Sequence, residues 1–571
     1  MPRRRAVLWP LVLIPAALLL QFALTYAVNG PEWDHLSSAE IFDRWSRPGG
    51  LTAEFLFSQH NEHRKAAARV AALGLGLATR WNTRAEAVAH WGLMCATWLV
   101  LFAAFKNEWR THVPRSGALL AFAPIGALLL SPRSYEALLG DGFPHYLSIL
   151  GMAVSLAVLV REPRSSIRLA GALVGALLAS FSISNGLLMW PLGLLVIASS
   201  LWTATGSRAA AWRDASVWGA AGTLTIAFYF RGYVDPGNHT PARFVLEHPI
   251  AGLSHFLAVN GSSLAPYGYA AIVAGLLVVA LESYCLLRVF GDWRARRMPV
   301  PLGAWLVVAV ATSIAMITLN RAGSGLPQAM ESRYTALTVL GPIGAYWCVR
   351  VRQDAWLVPR RATRLLAALL VTGYVAATAH AWAIAPSWHS RKSWQAYLVY
   401  SAKVQPASIL ESLYPNPEHG ARYAAILERL GLSVFAEPHI QPETLAAGLR
   451  RPDYRVDVLN NARPYADEPL VVSAGDPVEI KGWAFNERGT GPARAIFVNV
   501  DGTRDFPGHP GVYRDTLGGA FGGRGRRWAG FTASFDAAIL PPGEHTLALK
   551  IVSDDGTQFF LSGPIRRVVR Q

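Results

Sequence analysis

Apolar blocks, each about sixteen residues or longer, recur through residues 6–386 and are separated by loops, alternate ones of which are rich in arginine. A soluble core does not bury so many uninterrupted blocks, whereas a bilayer-crossing helix needs about 20 such residues. Eleven spans are expected, near 6–28, 85–106, 116–131, 143–161, 167–182, 186–202, 213–232, 264–289, 302–319, 333–351 and 362–386. Ala66–Ala78 is apolar but short, and reads as an interfacial or re-entrant helix rather than a crossing.

The arginines give the spans a direction. Arg3, Arg4 and Arg5 precede the first block, which is too long for the apolar core of a secretory signal and reads as an uncleaved anchor. Alternate loops then carry Lys106, Arg110 and Arg115, then Arg161, Arg164 and Arg168, then Arg208 and Arg213, then Arg288, Arg294, Arg296 and Arg297, then Arg350, Arg352, Arg360, Arg361 and Arg364. Basic residues gather on the cytoplasmic side of membrane proteins. The N-terminus is therefore expected in the cytoplasm and the C-terminal tail outside it, in the periplasm or beyond. Abundant Ala, Arg and Gly suggest a GC-rich bacterial genome, hence a bacterial inner membrane.

The formal charge of +16 does not indicate nucleic-acid binding, because the arginines are spread between apolar blocks rather than clustered on one face. Cys95, Cys285 and Cys348 fall inside expected helices and read as small buried hydrophobes, not as a disulfide or zinc framework.

Composition changes after Pro386. The expected organisation is a membrane domain over 1–386, including a long first outer loop at 29–84, then a helical connector over 387–453 and a β-sandwich over 454–571. Val478–Phe485, Ala495–Val500, Ala529–Phe535 and His545–Val552 alternate with period two, and Asp501-Gly502, Pro542-Gly543 and Asp554-Asp555-Gly556 punctuate them as turns.

Acids and histidines favour the outer loops. Asp34 lies six residues past the first span, beside Glu32, and an acid there can take a proton from an acceptor hydroxyl; it can equally cap a helix. His60, Glu62, His63 and Arg64 form a dense cluster that suits a substrate-facing wall, although its spacing matches no usual zinc motif. Asp141, His145 and Arg231 occupy further outer loops. Arg321 and Arg333, with Tyr334, flank a loop that opens with Ala322-Gly-Ser-Gly325; two guanidiniums there can clamp a phosphate, or merely snorkel to headgroups.

This arrangement resembles the GT-C superfamily of integral membrane glycosyltransferases. Gln59-His-Asn-Glu-His-Arg64, Phe181-Ser-Ile-Ser-Asn-Gly186 with Trp190-Pro191, and Ser332-Arg-Tyr334 are similar to motifs of uncharacterised bacterial members, and Ile480-Lys-Gly-Trp-Ala-Phe485 and Leu540-Pro-Pro-Gly-Glu-His-Thr-Leu547 to the β-domain that often follows them. The resemblance implies transfer of a sugar from a polyprenyl-phosphate carrier to a glycan, lipid or protein acceptor, with Asp34 as the catalytic acid and Arg321 and Arg333 at the donor phosphate. The Asp-x-Asp form is absent; the match is Glu32-Trp-Asp34. No cofactor or metal ligand set is therefore assigned, and a divalent cation is left open. Two other functions fit the same layout: a polymerase or ligase acting on undecaprenyl-linked glycans, and a non-enzymatic transporter or assembly scaffold.

Overall fold

A computed structural model describes residues 8–109, 117–161, 165–203, 208–237 and 239–571. Arg3, Arg4, Arg5, Arg110, Arg115 and Arg164, which contribute to the expected orientation, lie outside the described residues.

The protein is mostly helical, with a curled sheet at its C-terminal end. Every expected apolar block forms helix. Among the described residues, six helical stretches are long and apolar enough to cross a membrane: Thr83–Trp109, Ala118–Leu139, Ser184–Trp202, Gly268–Arg294, Leu302–Ala329 and Arg360–Val404. Leu13–Tyr26, Ala66–Thr79, Phe143–Leu159 and Ser166–Ser180 are apolar but shorter. The helix Pro249–Gly261 was not expected; its buried His255 and Asn260 break the apolar run that would have marked it.

The chain divides into two compact units. The first comprises Met1–Thr25, Leu51–Gly74 and Ala85–Ala383; the second comprises Tyr26–Gly50, Leu75–Arg84 and Ile384–Gln571. Both ends of the first outer loop thus fold with the tail, while its middle folds with the apolar helices.

In the first unit, paired glycines let antiparallel helices touch. Gly151 in Phe143–Leu159 faces Gly175 in Ser166–Ser180, and Gly303 in Leu302–Arg321 faces Gly344 in Leu340–Arg352; neither pair leaves room for a Cβ. Close backbone approach through small residues is how helices pack where lipid removes the hydrophobic driving force.

The last long apolar helix does not stop at Pro386 but runs from Arg360 to Ser401, its part from Ile384 onward belonging to the second unit. It passes the end of the first helix, Leu8–Tyr26, where His389 Nδ1 donates to the Tyr26 carbonyl at 3.0 Å. Within the first unit Phe22 packs edge-on against Trp382 at 5.4 Å, so the chain runs the same way in both helices.

Ten strands follow: β1 (Ala446–Ala447), β2 (Tyr454–Leu459), β3 (Leu470–Val472), β4 (Pro477–Ala484), β5 (Ile496–Val500), β6 (Arg504–Val512), β7 (Gly530–Asp536), β8 (Gly543–Val552), β9 (Gln558–Leu561) and β10 (Arg566–Arg570). They make one sheet in the order β1-β9-β8-β5-β6-β7-β4-β2, with β10 joining β8 to β3. This differs from the expected two-sheet sandwich. The β6–β7 ladder, with Gly508 opposite Ala533, keeps the strand order continuous, and the register shift between Pro510 and Val512 bends it. Alternation sends Val478, Ile480 and Ala484 of β4 inward to meet Val498, Phe531, Phe535, Leu547 and Leu549.

Candidate functional site

The first unit gathers most of the candidate residues around one turn. His60 N–H donates to the His63 carbonyl at 2.7 Å and His63 N–H returns to the His60 carbonyl at 2.9 Å. Asn61 takes φ +49°, a left-handed conformation that asparagine tolerates better than most residues. The turn is anchored from outside: Gln59 donates to the Val234 carbonyl at 2.6 Å and accepts from the Val234 N–H at 3.0 Å.

Glu62, at the tip, lies 2.9 Å from Arg321 Nη2 and 3.8 Å from His63 Nε2. Burial alone would raise its pKa, but His63, its own backbone N–H, Arg321 and His239 together hold the carboxyl below its ordinary value, so it is ionised near neutral pH. His63 Nδ1 accepts the Ser184 backbone N–H at 3.3 Å and lies 3.0 Å from Ser184 Oγ. An acceptor at Nδ1 places the neutral ring's proton on Nε2, the nitrogen nearer Glu62.

Arg64 does something other than expected. Its Nε donates to the Tyr229 carbonyl at 2.6 Å, Nη1 to Phe57 at 2.7 Å and Nη2 to Arg231 at 2.7 Å. A guanidinium spread over three carbonyls is committed to holding the fold rather than a phosphate. Arg231 enters through that carbonyl, and its side chain is exposed.

Two further ion pairs border the turn. Lys65, buried, reaches Asp141 Oδ2 at 3.2 Å. Arg333 pairs with Glu331, and its backbone N–H donates to Glu136 Oε2 at 3.1 Å. His145 lies within electrostatic reach of Arg333, Asp141, His63 and Lys65, which ties the two halves together. Burial raises the Glu331 carboxyl, opposed by Arg333 and Arg321. Tyr334 accepts from Gln328 at 2.9 Å and carries the Arg333 guanidinium over its ring at 5.7 Å. The basin therefore brings together carboxylates, imidazoles and two arginines, Arg321 and Arg333, each paired with an acid that an anionic ligand can displace. Glu136, Glu331, His239, Ser184 and Lys65 join the basin without being among the candidates named from the sequence; the adjacency of Lys65 to the His60–Arg64 cluster was the available signal.

Glu32 and Asp34 belong to the second unit. Glu32, expected to face substrate, instead pairs with Lys392 at 2.9 Å, the two side chains being 12% and 2% exposed. A largely buried carboxylate requires such a counter-ion. Asp34 stays exposed, in the first turn of the one-turn helix Trp33–Leu36. Trp33 before it adopts φ +48°, and its N–H donates to the Leu413 carbonyl at 3.2 Å. A bulky residue held in the left-handed region costs on the order of 1–3 kcal/mol, and such strain concentrates at functional sites.

Among the described residues, no group of three or more His, Cys, Asp or Glu is placed to hold a metal ion. No protein-family model, curated protein or solved structure matches the chain.

Proposed function

We propose that the chain is an integral membrane glycosyltransferase that moves a sugar from a polyprenyl-phosphate carrier to a glycan, lipid or protein acceptor on the outer face of a bacterial inner membrane. In this reading it crosses eleven times, with the N-terminus inside and the β-unit outside. The parallel run of Leu8–Tyr26 and Arg360–Ser401 supports an odd number of crossings.

The observation that supports transfer chemistry best is the Arg321–Glu62 pair. A guanidinium at the end of an apolar helix, one quarter exposed and paired with a carboxylate on a turn, suits a lipid-linked phosphate that can exchange with that carboxylate. Arg321 and Arg333 are the proposed phosphate-holding groups. His60, Glu62 and His63 line the substrate cleft, and Asp34 is the proposed base for the acceptor hydroxyl.

The test is a comparison of envelope glycans between a deletion strain and its parent. Loss of one sugar supports transfer, shortened chains indicate polymerisation instead, and an unchanged envelope contradicts both.

A further inference from the structure

Within the second unit, the end of the helix Arg360–Ser401 runs beside the sheet and contacts it at two levels. Tyr397 Oη lies 2.8 Å from the Pro507 carbonyl of β6 and 3.1 Å from the Ser534 carbonyl of β7. Seven residues earlier, Ser390 Oγ accepts from the Tyr513 N–H at 3.0 Å, and His389 packs edge-on against Trp528 at 5.3 Å. At 1.5 Å per residue, the chain leaving β6 and entering β7 therefore runs about 10 Å back along this helix, from the level of Tyr397 to that of Ser390, before the two strands connect. The level of residues 388–391 carries interfacial marks. Tyr26, ending the first apolar helix, meets His389 there, and Arg391 lies 4.0 Å from the Trp388 ring centre.

The connection at this level, residues 513–529, carries four arginines against one aspartate. Phe521 is 42% exposed and rests on Trp483 and Phe485 at 5.2 Å each. Arg524 is exposed beyond Gly522 and Gly523, whose φ of +71° and +83° turn the chain. Arg526 bonds the carbonyls of Gly489 and Phe521 and so fixes the loop.

We propose that this β6–β7 connection is a membrane-docking tip, with Phe521 entering the interfacial layer and Arg524 meeting the phosphates of anionic lipid headgroups. The combination of one inserted aromatic and nearby arginine is what such a surface binds. The proposal rests on the membrane crossing of Arg360–Ser401 put forward above.

Hydrogen exchange on the full chain in nanodiscs tests it. In nanodiscs containing phosphatidylglycerol, amides of 515–527 exchange about ten-fold more slowly than in pure phosphatidylcholine nanodiscs, while β8 exchanges equally in both. Phe521→Ser with Arg524→Ser removes the difference and leaves β8 unchanged; free glycerol phosphate added in detergent does not reproduce it. Equal exchange of 515–527 in both lipids, or protection that survives the double substitution, overturns the tip. Release of the whole protein from membranes by alkaline carbonate overturns the membrane reading itself.

Discussion

Lys392 Nζ lies 2.9 Å from Glu32 Oε1, an ion pair formed between the segment after the first apolar helix and the stalk that leads into the β-unit. Removing one partner of a buried pair leaves a charge without compensation and costs about 3–5 kcal/mol. Lys392→Met should lower the thermal midpoint of the purified protein sharply, and Glu32→Gln in the same chain should restore most of it. Equal midpoints for wild type and Lys392→Met would show that the pair is dispensable.

Arg64 and Arg321 should separate cleanly. Arg64 bonds three carbonyls with a planar fork, a geometry that lysine does not reproduce. Both Arg64→Ala and Arg64→Lys should lose most folded protein on size-exclusion chromatography. Arg321→Ala removes the part-exposed pair with Glu62 and should elute as wild type while losing transfer activity.

A pH dependence follows from His545. Nδ1 lies 2.6 Å from Asp501 Oδ2 and Nε2 2.8 Å from the Pro541 carbonyl; two acceptors call for a doubly protonated ring. The hydrogen bond to Asp501 raises the histidine pKa, against burial and the opposing charge of Arg504. Burial opposes ionisation of Asp501, but the hydrogen bonds from His545 and Thr546 and the charges of His545 and Arg504 together lower its pKa. The histidine contribution is complete below about pH 6.5 and is lost as pH rises through the raised value; the aspartate contribution holds above about pH 3.9 and is lost as pH falls through the lowered one. His545→Asn should therefore reduce the melting temperature most between those limits and least at alkaline pH. A gap that widens with rising pH would contradict the assignment.

Orientation is checked with phosphatase fusions that are active only outside the cytoplasm. A fusion after Arg296 should be inactive and one after Gln571 active, since basic loops stay inside. The reverse pattern would put the Glu62 basin on the cytoplasmic side.

The helical part of this fold is plain in the sequence because a bilayer leaves so few alternatives for an apolar block. The continuation of the last helix past Pro386 was not, because Lys392 and Tyr397 are polar residues whose partners, Glu32 and the carbonyls of Pro507 and Ser534, lie far away in the chain. Strand alternation was readable, but which edges pair is decided by ladders such as Gly508 with Ala533, and alternation does not encode that choice. The same limit applied to the basin. Glu62 and Arg321 could each be picked out as charged residues on one face, yet their contact joins positions 259 residues apart. Arg64 read as part of a substrate-facing wall because no pattern reveals that Phe57, Tyr229 and Arg231 turn their carbonyls toward it.

The central claim, sugar transfer on the outer face with Asp34 as base, is tested most directly by complementing a deletion strain and analysing envelope glycans by mass spectrometry. Wild type should restore the missing sugar, and Asp34→Asn, present at equal level in the membrane, should not. Full restoration by Asp34→Asn would contradict the role given to Asp34, and a deletion strain with an intact glycan profile would contradict the transferase itself.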